Sequence, residues 1–206
     1  MHRPPDALAA SFRFAERAWV ASSPEFEINI TYSIKSMTHS KLIFETDRLT
    51  VRQLLDDDFE AFHEMQSDDI VMRYTTGKGL DEVENRRQLK SCIECYSHSH
   101  NDFRVWAIVR KVDQQFIGTC AIVSGEQYPE IGYRFLRKYF GAGYGQEICN
   151  GLIHYGINDL KLSHLTAYAD TRNIASIKIL DKSPLMFVQE IPNDQGAIDY
   201  VYRWCR

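Results

Sequence analysis

At 206 residues, 44% hydrophobic and 25% charged, the chain has the size and balance of one ordinary globular domain, which excludes a fibre or a wholly disordered polymer. A formal net charge of -4 argues against a surface built to embrace nucleic acid, and no apolar run approaches the roughly 18 residues of a membrane helix. The five cysteines are odd in number and fall inside periodic segments, so they read as reduced thiols in a cytoplasmic protein.

Residues 1–40 have no steady hydrophobic period and read as a poorly structured extension or a cloning remnant, with Met37 as a natural start, or else as a docking arm. From Lys41 the pattern sharpens into one continuous domain, 41–206. DRLTVRQL alternates as a strand with Leu49 and Val51 on one side. The acids of DDDFEAFHEM open a helix that sets Phe59, Phe62 and Met65 on one face. A second helix runs from Asp81 to Tyr96 with Leu89, Cys92, Ile93 and Tyr96 as its stripe. FRVWAIVRK and QQFIGTCAIV form a hairpin, followed by a third strand, EIGYRFL. Then come a helix in GQEICNGLIHYGIND, a strand in SHLTAYAD, a helix in ASIKILDK and a closing pair, MFVQEI with IDYVYRW. Strands interleaved with helical crossovers predict an α/β layer architecture with a mixed sheet.

The stretch YFGAGYGQE, Tyr139 to Glu147, carries Gly141, Gly143 and Gly145 at the entrance to a helix. Glycine is the residue most costly to order, so such a cluster marks unusual backbone angles or a close approach. A helix start offers unbonded N–H groups and the positive end of the dipole, which suits phosphate. The glycines alone are compatible with a bare turn, a phosphate cradle, or both. A P-loop would need Lys and Ser or Thr where Gln146 and Glu147 stand, and the G-x-G-x-G spacing departs from the dinucleotide fingerprint.

Taken with FETDRLTVRQL, DDIVMRY, EIGYRFLRKYFGAGYGQEI and TRNIASIKILDKS, in that order, the chain from Phe44 to Trp204 resembles the GNAT superfamily of acetyl-CoA-dependent N-acetyltransferases, in its RimJ/RimL-like branch. The resemblance implies a mixed sheet of about seven strands flanked by about four helices, with two central parallel strands splayed around the pantetheine arm. It implies that main-chain groups of Phe140, Gly141, Ala142, Gly143, Tyr144, Gly145 and Gln146 hold the pyrophosphate of acetyl-CoA as co-substrate. It sets Phe135 and Leu136 beside the acyl group, with the Leu136 amide facing the oxyanion. Asn173 matches a CoA-side Asn, and is equally a helix N-cap.

Glu130 matches an acid invoked as base or water-positioner, against the alternative of a carboxylate that merely orders a strand end; Glu126 and Tyr128 are lesser candidates. Ser176 matches a serine near the sulfur, as a hydrogen-bond donor to the thiolate, against the alternative of a small packed residue. The tyrosine that many relatives carry seven residues after the Asn is Leu180 here, and their helix-ending Gly is Pro184, so this helix must finish differently. The implied partners are acetyl-CoA and an amine, either a protein N-terminus or a small molecule, with no metal, membrane or nucleic acid, in a monomer or homodimer. A non-catalytic acyl-CoA sensor is the alternative. Cys92 and Cys95 form a lone C-x-x-C whose helical spacing means packing, and His98 and His100 read as a solvated loop.

Overall fold

Short runs of β-branched and aromatic residues between turn-forming clusters build eight strands in this chain, seen in a computed structural model that describes residues 40–98, 103–125 and 127–206. All of the expected 1–40 extension except Ser40, together with Glu126 and His100, lies outside the described residues.

The strands are β1 (Leu42–Glu45), β2 (Leu49–Arg52), β3 (Phe103–Arg110), β4 (Phe116–Val123), β5 (Glu130–Phe135), β6 (His164–Asp170), β7 (Met186–Pro192) and β8 (Ile198–Cys205). The helices are α1 (Phe59–Gln66), α2 (Asp69–Met72), α3 (Glu82–Cys95), α4 (Tyr144–Asn158) and α5 (Ile174–Leu180). They make one sheet in the order β1-β2-β3-β4-β5-β6-β8-β7, antiparallel except between β5 and β6. The α/β expectation holds, with eight strands and five helices among the described residues where about seven and four were expected. The additional strand, β1, is a four-residue edge, and the additional helix, α2, is a single turn capped by the Asp68 side chain.

Alternation sorts the sheet into two faces. Trp106, Cys120, Ile122, Ile131, Tyr133, Phe135, Leu165, Ala167 and Tyr202 point to one side, where Ile148, Leu152 and Ile153 of α4 and Ile179 and Leu180 of α5 close over them. Phe59, Phe62 and Met65 of α1 and Leu89 and Cys92 of α3 pack the other side, against Ala107, Val109 and Phe116. These are the stripes read from the periodicity, and Leu49 and Val51 share the first core as that alternation requires. No helix among the described residues is long and apolar enough to cross a membrane.

Candidate active site

A sheet whose neighbours are all antiparallel is locked along its length, but the one parallel pair here is not. β5 and β6 share a single register pair, Glu130 with Thr166, closed by the Thr166 N–H donating to the Pro129 carbonyl at 2.8 Å. Past that point β6 keeps pairing with β8 from His164 to Asp170, and β5 keeps pairing with β4 up to Phe135, so a gap opens between them. Main-chain groups of a strand face alternate sides. The Leu136 N–H donates to the Ile117 carbonyl on β4 at 2.9 Å, so the amides of Phe135 and Tyr133 turn the opposite way, toward the gap. The expectation for Leu136 is corrected accordingly. Its amide is already engaged away from the gap, and the Phe135 amide is the one that faces it.

The glycine turn stands at the open end of β5. Arg137–Tyr139 form a 3-10 turn, and the chain then passes through Gly141 at φ +76° and Gly143 at φ +80°, both left-handed, before α4 begins. Two of the three glycines are thus demanded by backbone angle; Gly145 is not among the positive-φ positions and sits buried in the first turn of α4. A Cβ added at Gly141 would meet nothing within 4 Å, so the turn presents an open outer surface. Aromatic residues anchor it from below: Tyr144 lies against Phe135 and Tyr139, and Phe140 packs on both cores, which explains an aromatic at that position. Gly143, the N-cap of α4, has no side chain to bond the first helical amides, which leaves them for an anion. The Gln146 side chain is spent on the Ile179 carbonyl of α5 at 3.3 Å, so only its main chain is available to the turn.

Sequence reasoning missed the clamp behind this turn. Arg48, in the β1–β2 connection, donates through Nη1 to the Ala142 carbonyl at 3.0 Å and through Nε to Glu147 at 2.6 Å, and covers the Tyr144 ring at 4.5 Å. Glu147 also accepts from Thr46 Oγ1 and from the Arg48 amide. Burial alone would raise the Glu147 carboxyl, but these hydrogen bonds and the Arg48 charge hold it below its ordinary value of 4.5. A depressed carboxylate stabilises the fold above its ordinary value and loses that contribution as pH falls through the depressed one. The melting-temperature difference between wild type and Glu147→Gln is therefore expected to be constant above about pH 5.5 and to shrink below pH 4.5. A difference that stays level down to acid unfolding would remove the clamp from the stability of the turn.

α5 begins with Asn173 as N-cap, its side chain accepting from the Ser176 amide at 3.2 Å, and both residues are fully buried. The N-cap role is thereby present, and it holds Ser176 on the face of α5 turned to the sheet. Leu180 is a core residue, in line with the absence of a tyrosine there. Pro184 forces the ending anticipated from sequence. Instead of a left-handed glycine cap, the Leu180 carbonyl accepts from both the Ser183 N–H at 3.0 Å and the Ser183 hydroxyl at 2.7 Å, and that hydroxyl accepts from the Leu185 amide at 3.1 Å.

Glu130 is fully buried at the closed end of the gap, and its register with Val123 and Thr166 turns it to the face of the sheet opposite Tyr133 and Ser176. Arg134 lies on that same face, 8% exposed, donating to Gln66 of α1 at 2.7 Å; Gln66 in turn donates to Asn85 and Gln88 of α3. This buried polar chain ties β5 to α1 and α3 and forms one wall beside the gap. An arginine in the apolar run EIGYRF was its only sequence signal. Tyr128 stacks on His164 with ring centres 4.3 Å apart, under the Arg203 guanidinium, which accounts for it structurally.

Three of the cysteines, Cys92, Cys120 and Cys149, are buried. Burial pushes the thiols of Cys92 and Cys149 up to about 12 and that of Cys120 well above the usual range, so each is a thiol rather than a thiolate at neutral pH. Among the described residues, no group of three or more His, Cys, Asp and Glu is arranged to hold a metal ion.

Residues 48–184 match the family model described as the acetyltransferase (GNAT) domain. The chain belongs to the GNAT acetyltransferase family. The chain is 34% identical over 145 residues to the uncharacterised N-acetyltransferase YoaA of Bacillus subtilis, covering 68% of this chain and 80% of that protein. In fold it is similar to a GNAT-family acetyltransferase from Bacillus anthracis, with a TM-score of 0.69 at 24% identity over 80% of this chain and 98% of that one. The same fold occurs in RimL, a ribosomal L7/L12 alpha-N-protein acetyltransferase solved in complex with coenzyme A, with a TM-score of 0.69 at 12% identity over 80% of this chain and 98% of that one. The GNAT match spans the glycine turn, the diverging strands and α5 together.

Proposed function

We propose that this GNAT enzyme transfers acetyl from acetyl-CoA to a primary amine by direct attack within a ternary complex, as a cytoplasmic member of the RimJ/RimL-like branch. The observation that carries the reading is the divergence of β5 from β6 after one register pair, directly before a left-handed glycine turn at a helix start. An elongated ligand with a diphosphate at one end and a thioester at the other fits those two features: the diphosphate on the amides of Phe140 to Gln146, the pantetheine along the edge of Tyr133 and Phe135, and Asn173 at the far lip.

Each proton then has a group to deal with it. An α-amine, with a pKa near 7.7 to 8.0, needs modest help to lose its proton, and Glu130 accepts it directly or through water. The carbonyl oxygen gains charge as the amine attacks, and the Phe135 amide, already turned to the gap, donates to it without reorganising. The departing sulfur takes a hydrogen bond from the Ser176 hydroxyl. Base and sulfur-side donor come from opposite faces of the sheet, so amine and thioester meet in the gap rather than on either surface. The name of RimL supports a protein N-terminal α-amine as acceptor; a small-molecule amine is served by the same chemistry.

The test is a thermal-shift series. Acetyl-CoA at 100 times its Kd should add about 2.7 kcal/mol of stability, whereas ATP and NAD should add none. Thiol release across a panel of peptide α-amines and small amines then separates an enzyme from an acyl-CoA sensor. No stabilisation by any CoA derivative would sink the reading.

A further inference from the structure

Thr166 Oγ1 and Arg203 Nε are buried and have no hydrogen-bond partner among the described residues. They belong to neighbours. Thr166 of β6 pairs in register with Arg203 of β8 on one side and with Glu130 of β5 on the other. Paired residues point to the same face, so a carboxylate, a hydroxyl and a guanidinium stand in one row across three strands. Thr166 is 2% exposed, and a valine would keep its β-branched shape in the strand without setting an unmatched hydroxyl in the interior. The Arg203 guanidinium lies 4.6 Å from the centre of the Tyr128 ring. That contact uses the flat face of the cation, whereas its N–H groups lie in the plane and can only donate, so what Arg203 Nε lacks is an acceptor. The row is closed at Glu130, which is fully buried, and reaches the surface at half-buried Arg203 and its exposed register partner Met186 on β7.

We propose that Thr166 and Arg203 form an acceptor subsite that binds a carbonyl or carboxylate oxygen on the carbon next to the one bearing the attacking amine. The acceptor then belongs to the α-amino acyl class, as a peptide N-terminus or a free amino acid. The inference rests on the acetyl-CoA reading above. The order of groups along the row carries it. Glu130 favours the nitrogen end of a ligand, and Arg203 favours an oxygen end. An α-amino acyl group holds that nitrogen and that oxygen on adjacent carbons, short enough to lie between Glu130 and Arg203 with its oxygen on Thr166 Oγ1 and Arg203 Nε. A simple alkylamine leaves both donors unmatched, which is how a polar site rejects an analogue lacking its oxygen. A polyamine sets a second cation beside the guanidinium, a repulsive element against that class. No bond is made or broken at either residue; both hold the substrate.

Three conjugates read the subsite without turnover: coenzyme A whose sulfur is joined through an acetyl link to the nitrogen of alaninamide, of alanine or of isopropylamine. Calorimetry gives their affinities, and that of coenzyme A itself, for wild type, Thr166→Val and Arg203→Met, and the melting temperature of each protein is recorded. We expect wild type to bind at least one of the two oxygen-bearing conjugates about 10- to 100-fold more tightly than the isopropylamine conjugate. Thr166→Val should lower that ratio about three- to tenfold and Arg203→Met should remove most of it, while coenzyme A and the isopropylamine conjugate bind all three proteins alike. Preference for the alanine conjugate identifies a free amino acid, and preference for the alaninamide conjugate a peptide N-terminus. Thr166→Val should melt at or above the wild-type temperature, because it keeps the branched shape and removes an unmatched hydroxyl, so its ratio is read on an intact fold. Equal binding of the three conjugates by wild type would overturn the subsite and leave the acetyl-CoA reading standing. So would a preference that Thr166→Val leaves unchanged. If coenzyme A itself does not bind wild type, the acetyl-CoA reading fails and the subsite fails with it.

Discussion

A Glu130→Gln variant is expected to bind acetyl-CoA as wild type does and to lose about 10²- to 10³-fold in kcat near neutral pH. The carboxylate is fully buried at the one point where β5 and β6 are joined, on the face away from the glycine turn, so its removal does not reach the diphosphate. Gln preserves volume and hydrogen-bonding capacity but cannot accept a proton. With an α-amine acceptor the defect should narrow as pH rises past about 8, because the amine then arrives already neutral. Profiles of kcat for the two proteins from pH 6 to 9 make the comparison. If the profiles coincide, Glu130 merely orders the strand end, and the amine must lose its proton to solvent before it binds.

What the sequence disclosed and what it withheld divide along a physical line. Elements with a strong internal period were legible: the stripe of α4, the alternation of β2, and the cap at Asn173 all depend on neighbours within a few residues. The glycine turn was legible for the same reason, since positive φ is a local demand. β1 was not, because a four-residue edge strand has too few positions to show a period and owes its place to Phe44 lying over Gly151 of α4, where a Cβ would come within 2.8 Å of the ring. Arg48 and Arg134 were not legible as site residues either. Their partners, Glu147 and Gln66, are 99 and 68 positions away, and an arginine in a turn or a strand looks the same in sequence whether it faces solvent or a distant side chain. The oxyanion donor turned on a still finer point. Whether Phe135 or Leu136 faces the gap is set by the hydrogen-bonding phase of β5 against β4, and one strand read alone carries no phase.

Gly143→Ala and Gly141→Ala should each weaken acetyl-CoA binding by about 5- to 30-fold, the equivalent of the roughly 1–2 kcal/mol that an L-residue loses in a left-handed conformation. The two sites differ in a way that isolates the cause. At Gly141 an added Cβ meets nothing, so any loss comes from the backbone angle or from the ligand itself; at Gly143 the Cβ would sit 3.5 Å from Arg48 Nη2, an ordinary contact that adds no clash. Relief of the strain requires φ to rotate away from +76° or +80°, and that rotation turns the following amides off their common focus at the mouth of α4. Asparagine tolerates the left-handed region better than alanine, so Gly143→Asn should retain more affinity than Gly143→Ala despite being larger. Calorimetric titration with acetyl-CoA gives the order, with Glu130→Gln as a variant that should bind normally. Alanine binding as tightly as glycine at both positions would mean that the turn only joins β5 to α4, and that the diphosphate is held elsewhere.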